Sequence, residues 1–390
     1  PGYSRTMLDQ VRGATEIKAG NFDAGVALLE RARTQLVLAK DDYDLDIAAV
    51  DVTLGSVLSH LARYAEAKEA LTRALDLYGA TLGEQHPRLA RLHGAMSNLH
   101  QAQGQSEQAA RSARAGIDII VAAHGPGHPL AAKLYLNLGS AEEIRGEYEA
   151  AARAYDQAIV SIEGSSTADE GIVAVCHASR AGIARLQGDF DNARLGFEKA
   201  VRGLEAAERP SHLATTLINL GGVYGSLGRT ADAVATLERA ESLLVKIRGA
   251  DNPGVAEVLA QRGRVLIDAG RPEDGVDPLQ RALALVTGKL ANESELVIHI
   301  RRELAEAQRL AGSLDQALSL AEQAAADANT SDELGAIPRA AARLTLARVL
   351  ADREDARSRD VARRALDDLG GTTDPVAETV RDDLRRLAGS

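Results

Sequence analysis

Histidines, a lone cysteine and a glycine-rich stretch are where this 390-residue chain could hold a metal, a thiol nucleophile or a phosphate. His86 and His128 lie in the loops LGEQHP (82–87) and HGPGHP (124–129), and His124 and His128 flank one GPG turn. A zinc site takes four ligands, usually Cys, His or carboxylate at short spacing. No third ligand stands at that spacing here. Two histidines in equivalent loops read instead as loop and helix-start geometry that repeats, so no metal is expected. His93 and His100 lie two helical turns apart and read as packing or surface residues. Cys176 sits early in an apolar helical stretch, where a buried, inert thiol is the ordinary outcome. Gly221, Gly222, Gly225 and Gly228 imitate a phosphate loop, but no strand precedes them and no GK[ST] follows. No nucleophile and base are brought together by a motif, so no catalytic residue, no cofactor and no enzyme activity are expected.

Charge and composition narrow the partners. Asp and Glu outnumber Lys and Arg by 56 to 45, a net charge of −11. Phosphate backbones demand clustered cations, so nucleic acid is not expected. No apolar run approaches the ~18 residues of a membrane span. A single cysteine cannot form an internal disulfide, which points to a reducing, cytoplasmic setting. The chain opens PGYSRT, without a starting Met or signal-peptide pattern, and reads as a piece of a longer protein. Apolar residues make up 45%, yet there are three Phe, eight Tyr and no Trp. Ala and Leu therefore supply the core, which favours closely packed helices.

These side chains are carried on a repeat. A thirteen-residue phrase, such as GEYEAAARAYDQA from Gly146, starts again at Gly20, Ala62, Gly104, Gly188, Gly228, Gly270 and Gly312, with a degenerate copy from Arg353. A fixed period near 42 residues means stacked supersecondary units with a core running along the array. In each unit, apolar residues at helical spacing precede the phrase (Leu134, Leu138, Ala141) and follow its start (Ala150, Ala154, Ala158, Ile162). Each unit is thus helix A, a tight turn at the phrase's opening Gly in left-handed conformation, then helix B. Small residues seven before the turn (Gly55, Ser97, Gly139, Ala181, Gly221, Gly263, Ala305) and alanines five and twelve after it let A and B approach closely. Between units, Gly ends helix B and Pro opens the next helix A. Pro278 falls inside a helix B and predicts a kink, or a hinge. From Asp352 the chain turns strongly charged, and PVAETVRDDLRRLA (375–388) reads as a polar capping helix.

The small residue, Gly turn, aromatic two later (Phe22, Tyr64, Tyr148, Phe190) and spaced alanines resemble the tetratricopeptide repeat. The 42-residue period, the HP loops and the NLG of helix A are similar to the kinesin-light-chain type of that family, over about Thr15 to Leu366. The resemblance implies an all-α, right-handed superhelical solenoid of eight to nine repeats over 1–371, closed by a capping helix in 372–390. It further implies a concave groove lined by A helices. Counted from each turn, the groove positions are Ser56, Ser59 and His60, then Arg91, Asn98 and Gln101, then Lys133, Asn137, Ser140 and Glu143. Arg185, Thr215, Asn219, Arg264, Asp268, Arg302 and Arg309 continue them. Amides there can hold a peptide backbone, and the cations can pair acidic side chains or a terminal carboxylate. Asn137 and Asn219, in NLG, would either face the groove or bond backbone between neighbouring helices.

The resemblance therefore implies a non-catalytic scaffold binding an extended peptide or partner helix, with no cofactor, as a monomer or a weakly self-associating chain. Bacterial relatives of this type often follow a serine/threonine kinase domain, so a regulatory region of such a kinase is the specific version. A receptor that compacts around a short peptide pheromone is the alternative.

Overall fold

The computed structural model describes residues 2–39, 43–162, 169–331, 334–372 and 374–389. These form nineteen α-helices and no strand among the described residues. The early helices are α1 (Gly2–Lys18), α2 (Phe22–Leu38), α3 (Asp44–His60), α4 (Tyr64–Leu82), α5 (Pro87–Ala102) and α6 (Ser106–His124). Then come α7 (Pro129–Ile144), α8 (Tyr148–Ile162), α9 (Glu170–Leu186), α10 (Phe190–Ala206), α11 (Pro210–Ser226), α12 (Thr230–Arg248) and α13 (Pro253–Asp268). The chain closes with α14 (Pro272–Val286), α15 (Glu295–Leu310), α16 (Leu314–Thr330), α17 (Ala336–Asp352), α18 (Arg357–Leu369) and α19 (Pro375–Gly389). Two compact units result. Unit 1 is Pro1–Gln187 with Arg202–Glu208, and unit 2 is Gly188–Val201 with Arg209–Ser390, so α10 lends residues to both.

The hairpin turn follows from its backbone. Gly20, Gly104, Gly146, Gly188, Gly228, Gly270 and Gly312 all have φ between 70° and 85°. Around six of them, Gly188 being the exception, the helix ends in paired bonds, as where Gly146 N–H donates to Glu143 O and Glu147 N–H to Glu142 O, both at 2.9 Å. That is the Schellman arrangement, which satisfies the last carbonyls of helix A. Ala62 (φ 59°) and Glu354 (φ 58°) hold the same conformation without glycine. The last turn therefore falls on Glu354, one residue beyond the degenerate phrase's start.

Packing of A on B depends on a notch and a knob. A Cβ added to Gly55, Gly139, Gly221 or Gly263 would lie 2.4–2.6 Å from Leu71, Tyr155, Leu237 or Leu279 respectively. Each of those knobs is essentially fully buried, a burial that stabilises by roughly 1.5–3 kcal/mol apiece. In the third repeat the notch is Ser97, whose hydroxyl donates to Ala109 O at 2.9 Å. Gly221, Gly222 and Gly225 likewise sit inside α11 against Leu237, Gln261 and Val265, so this glycine run serves close packing rather than a phosphate loop.

Between hairpins, Gly83, Gly125 and Gly249 close the B helices with positive φ, and Pro87, Pro129 and Pro253 open the next A helices. The residue before each proline caps that helix. His86 Nδ1 accepts from Arg88 N–H at 3.2 Å, His128 Nδ1 from Leu130 N–H at 3.1 Å, and Asn252 Oδ1 from Gly254 N–H at 2.9 Å. The repeated His-Pro is thus a helix N-cap, the role Asn and Asp usually play. Helix α14 runs through Pro278 without interruption, and the proline is buried.

Within each unit, consecutive A helices pack on one another: α1, α3, α5, α7 and α9 in unit 1, and α11, α13, α15, α17 and α19 in unit 2. Among the described residues the backbones of the B helices approach only A helices. B helices meet one another through long side chains, as where Arg281 Nη2 on α14 lies 2.6 Å from Glu241 Oε1 on α12 and Arg357 Nη1 on α18 lies 3.3 Å from Glu322 Oε1 on α16. The A row is consequently the tighter, inner side of each unit. Helix α19 packs on α17 and α18, burying Ala377 and Leu384.

Candidate functional site

The inner side is built from one face of each A helix. Positions thirteen, ten, six, three and two before a turn recur at 3.6-residue spacing and share that face. In unit 1 the hydroxyls of Ser56 and Ser59 are already engaged. Ser56 is exposed but donates to Val52 O at 2.8 Å, and Ser59 is buried with its hydroxyl on Gly55 O at 2.7 Å. The amides stitch neighbouring repeats. Asn137 Nδ2 donates to Asn98 Oδ1 at 2.7 Å and lies 3.5 Å from Gly94 O, while Gln101 Nε2 donates to Asn137 O at 2.8 Å. Asn98 remains exposed at the end of this chain of bonds, and Ser140 is half-buried. Glu143 accepts from Tyr155 OH at 2.7 Å.

The cations of unit 1 are different. Arg91, Lys133 and Arg185 are exposed, and none makes an ion pair among the described residues. Arg91 and Lys133 occupy the same position of successive A helices. At the turn ends of α7 and α9 stand Ile144, 61% exposed, and Leu186, 52% exposed and next to Arg185 in sequence, each two residues before a turn. The sequence reading, confined to polar groups, passed over both. Their signal was available in the register, because the same position carries Ser226, Asp268, Leu310 and Asp352 in unit 2, three of them polar.

In unit 2 the expected cations are neutralised from within. Arg264 Nε lies 2.9 Å from Asp268 Oδ2 and its Nη1 3.1 Å from Glu303 Oε1, and Arg302 Nη2 reaches Glu303 Oε1 at 2.9 Å. The Glu303 side chain is 3% exposed. Burial works against the Arg264 charge, but Glu303 and Asp268 outweigh it and hold its pKa above the ordinary value. Arg309 is likewise held between Glu306 and Asp352 at 2.8 and 2.6 Å. Thr215 is exposed, with its hydroxyl 3.3 Å from Ser211 O, and Asn219 is half-buried. Gln261 Nε2 donates to Ile218 O at 3.1 Å, the same helix-to-helix bridge that Asn137 makes toward Gly94. Further along the row a cavity of about 640 Å³ opens between α15, α17 and α19, walled by Leu296, Ile337, Pro338, Val376 and Val380 beside His299 and Arg302. Burial holds His299 below its usual pKa.

The candidates for chemistry fall elsewhere. The His124 and His128 rings stack with centroids 5.0 Å apart. No three His, Cys, Asp or Glu cluster for a metal among the described residues. Cys176 is fully buried, and burial with nearby Asp156 pushes its thiol up to about 12, far from a reactive thiolate. No described helix is long and apolar enough to cross a membrane.

Comparison with known proteins adds a family to this geometry. A tetratricopeptide-repeat model matches residues 46–120, 175–246 and 213–288. Curated protein sequences yielded no match. Among solved structures, the apo quorum sensor NprR from B. thuringiensis aligns with TM-score 0.64 at 13% identity, over 93% of this chain and 98% of that one. A STAND signal-transduction ATPase with a tetratricopeptide-repeat sensor, from Pyrococcus horikoshii, gives TM-score 0.64 at 12% identity over 83% of this chain, which spans only 48% of that protein. BtubC from P. vanneervenii gives 0.51 at 20% identity over 57% and 91%. At these identities the likenesses speak to the fold alone, an all-α array of helical hairpins, and the tetratricopeptide-repeat match is to the segments 46–120 and 175–288 within it.

Proposed function

We propose that this chain is a non-catalytic scaffold that holds an extended peptide or a partner helix along the inner faces of its A helices. The observation that carries the reading is that one face of the A helices of unit 1 carries the exposed, unpaired cations Arg91 and Lys133 toward the helix starts and Arg185, Ile144 and Leu186, also exposed, toward the turns. An isolated apolar side chain on a surface is ordinary, but aliphatic and cationic groups in register along one helix row suit a ligand that alternates acidic and apolar residues. Asn98 and Gln101 add backbone hydrogen bonding, and Asn137 orients them. In unit 2, Arg264 and Arg302 face their own carboxylates, so an acidic ligand gains less there. The repeats are of the kinesin-light-chain type, the array over 1–371 is capped by α19, and the role is regulatory, as behind a bacterial serine/threonine kinase domain.

The test is a random-peptide display selection on the full chain, repeated with Arg91→Glu/Lys133→Glu. Selected peptides should carry Asp or Glu near aliphatic residues and lose at least about tenfold in affinity for the double variant. Peptides that bind both proteins equally would remove the inner face of unit 1 as the site. Marked compaction in solution scattering on binding would favour a receptor that closes around its peptide over an open scaffold.

A further inference from the structure

On the opposite side of unit 1, a cavity of about 670 Å³ lies between the outer helices α4 and α6, with α5 as its floor. Its existence follows from three substitutions between neighbouring repeats. One repeat earlier, the equivalent slot between α2 and α4 is filled by the protein itself. Asp51, fully buried on α3, takes Arg73 Nη2 and Arg33 Nε at 3.0 Å each. Forty-two residues on, Asp51 becomes His93, Arg73 becomes Ala115 and Arg33 becomes Leu75. Both guanidinium groups are gone and the space they would occupy is open. One repeat later the positions carry the larger Tyr135 and Gln157, with Ile117 in place of Leu75.

The walls retain negative charge. Asp76 and Asp118, at the same position of successive B helices, face the cavity with Glu84 of the intervening loop. None of the three has a hydrogen bond or ion pair among the described residues, and no Lys or Arg lines the cavity. His93, at the floor, has no hydrogen-bond partner among the described residues, and burial holds its ring neutral by lowering its pKa. A flat neutral imidazole at the floor, apolar walls and three exposed carboxylates at the lining match a guanidinium on a short methylene stem, which stacks and pairs at once.

We infer that this outer cavity is a second docking site, which takes an arginine side chain from a partner polypeptide into the slot that Arg33 and Arg73 fill one repeat earlier. The guest's head group meets Asp76, Glu84 and Asp118, and its stem lies on Leu75. Desolvating these carboxylates on docking requires an opposite charge, so an apolar or acidic segment is rejected. The site is independent of the inner-face ligand, and both can be occupied together.

The test uses the full-length chain and a fluorescein-labelled peptide, Ala-Arg-Ala-Ala-Arg-Ala, with a citrulline twin that keeps the shape and loses the charge. Fluorescence anisotropy should show saturable, salt-sensitive binding of the arginine peptide and none of the citrulline peptide. Asp76→Asn/Asp118→Asn should weaken it at least about tenfold, and so should Leu75→Arg/His93→Asp/Ala115→Arg, which rebuilds the internal triad. Glu149→Gln/Glu273→Gln removes two exposed charges elsewhere and should leave binding unchanged, as should Arg91→Glu/Lys133→Glu. If the triple variant fails to fold by circular dichroism, the Asp pair decides alone. Absence of saturable binding, equal binding of the citrulline peptide, or an equal loss in the Glu149/Glu273 control would overturn the site.

Discussion

At the scale of single residues, the backbone conformation at each hairpin turn outweighs side-chain chemistry. Seven of the repeating turns hold glycine at positive φ, whereas Ala62 holds φ 59° with a Cβ. That Cβ crowds the following carbonyl at a cost of roughly 1–2 kcal/mol, partly offset by the chain entropy glycine would bring to the unfolded state. Ala62→Gly should therefore raise stability by about 1 kcal/mol, read as a higher urea midpoint with an unchanged slope; a lower midpoint would refute the strain. The same scale separates what was legible from what was not. The glycine notches were plain in the register because each recurs seven residues before a turn. The pairing of Arg264 and Arg302 with Glu303 was not, because Glu303 is 39 residues from Arg264 and stands where three other repeats carry Asn137, Asn219 and Gln261.

At the scale of elements, caps and one proline set the local energetics. Helix α14 accommodates Pro278 in its interior, although proline supplies no N–H to the carbonyl of Asp274 and its ring crowds the preceding turn. Leu279 beside it sits in the Gly263 notch and holds the helix on α13. Pro278→Ala restores the helix bond, a gain near 3 kcal/mol, and forfeits buried ring carbons worth roughly 1–2 kcal/mol. A net stabilisation of about 1–2 kcal/mol should result, with slower amide hydrogen exchange across α14. Faster exchange would mean that the ring's packing exceeds the missing bond. The capping role of His86 and His128 was only half legible: Pro at the helix start was expected, but a ring nitrogen accepting the N–H two residues on needs the loop's geometry.

At the scale of the whole molecule, stability should respond to acid in two stages. Burial lowers the pKa of His93, His100 and His299 from the ordinary 6.5. The unfolded chain then binds more protons than the folded one once pH falls below that value, so stability drops as pH falls. Glu198 and Glu306, held below 4.5 because their arginine partners outweigh burial, add a second loss at lower pH. Melting temperature should fall between pH 7 and pH 5, and His299→Gln should remove part of that first decline. An unchanged profile in the variant would show that His299 titrates alike in both states.

The sequence by itself determined the repeat, the helix–turn–helix unit and the close approach of its helices. These depend on residues within one 42-residue period, where turn glycines, notches and apolar spacing act locally. Tertiary structure decided which cations stay free and which groove stays open. Arg91 and Lys133 remain unpaired while Arg264 does not, and the slot above His93 is vacant while the one above Asp51 is filled. The physical reason is that charge pairing and cavity filling are settled between repeats, by side chains about 20 to 40 residues apart that only stacking brings within reach.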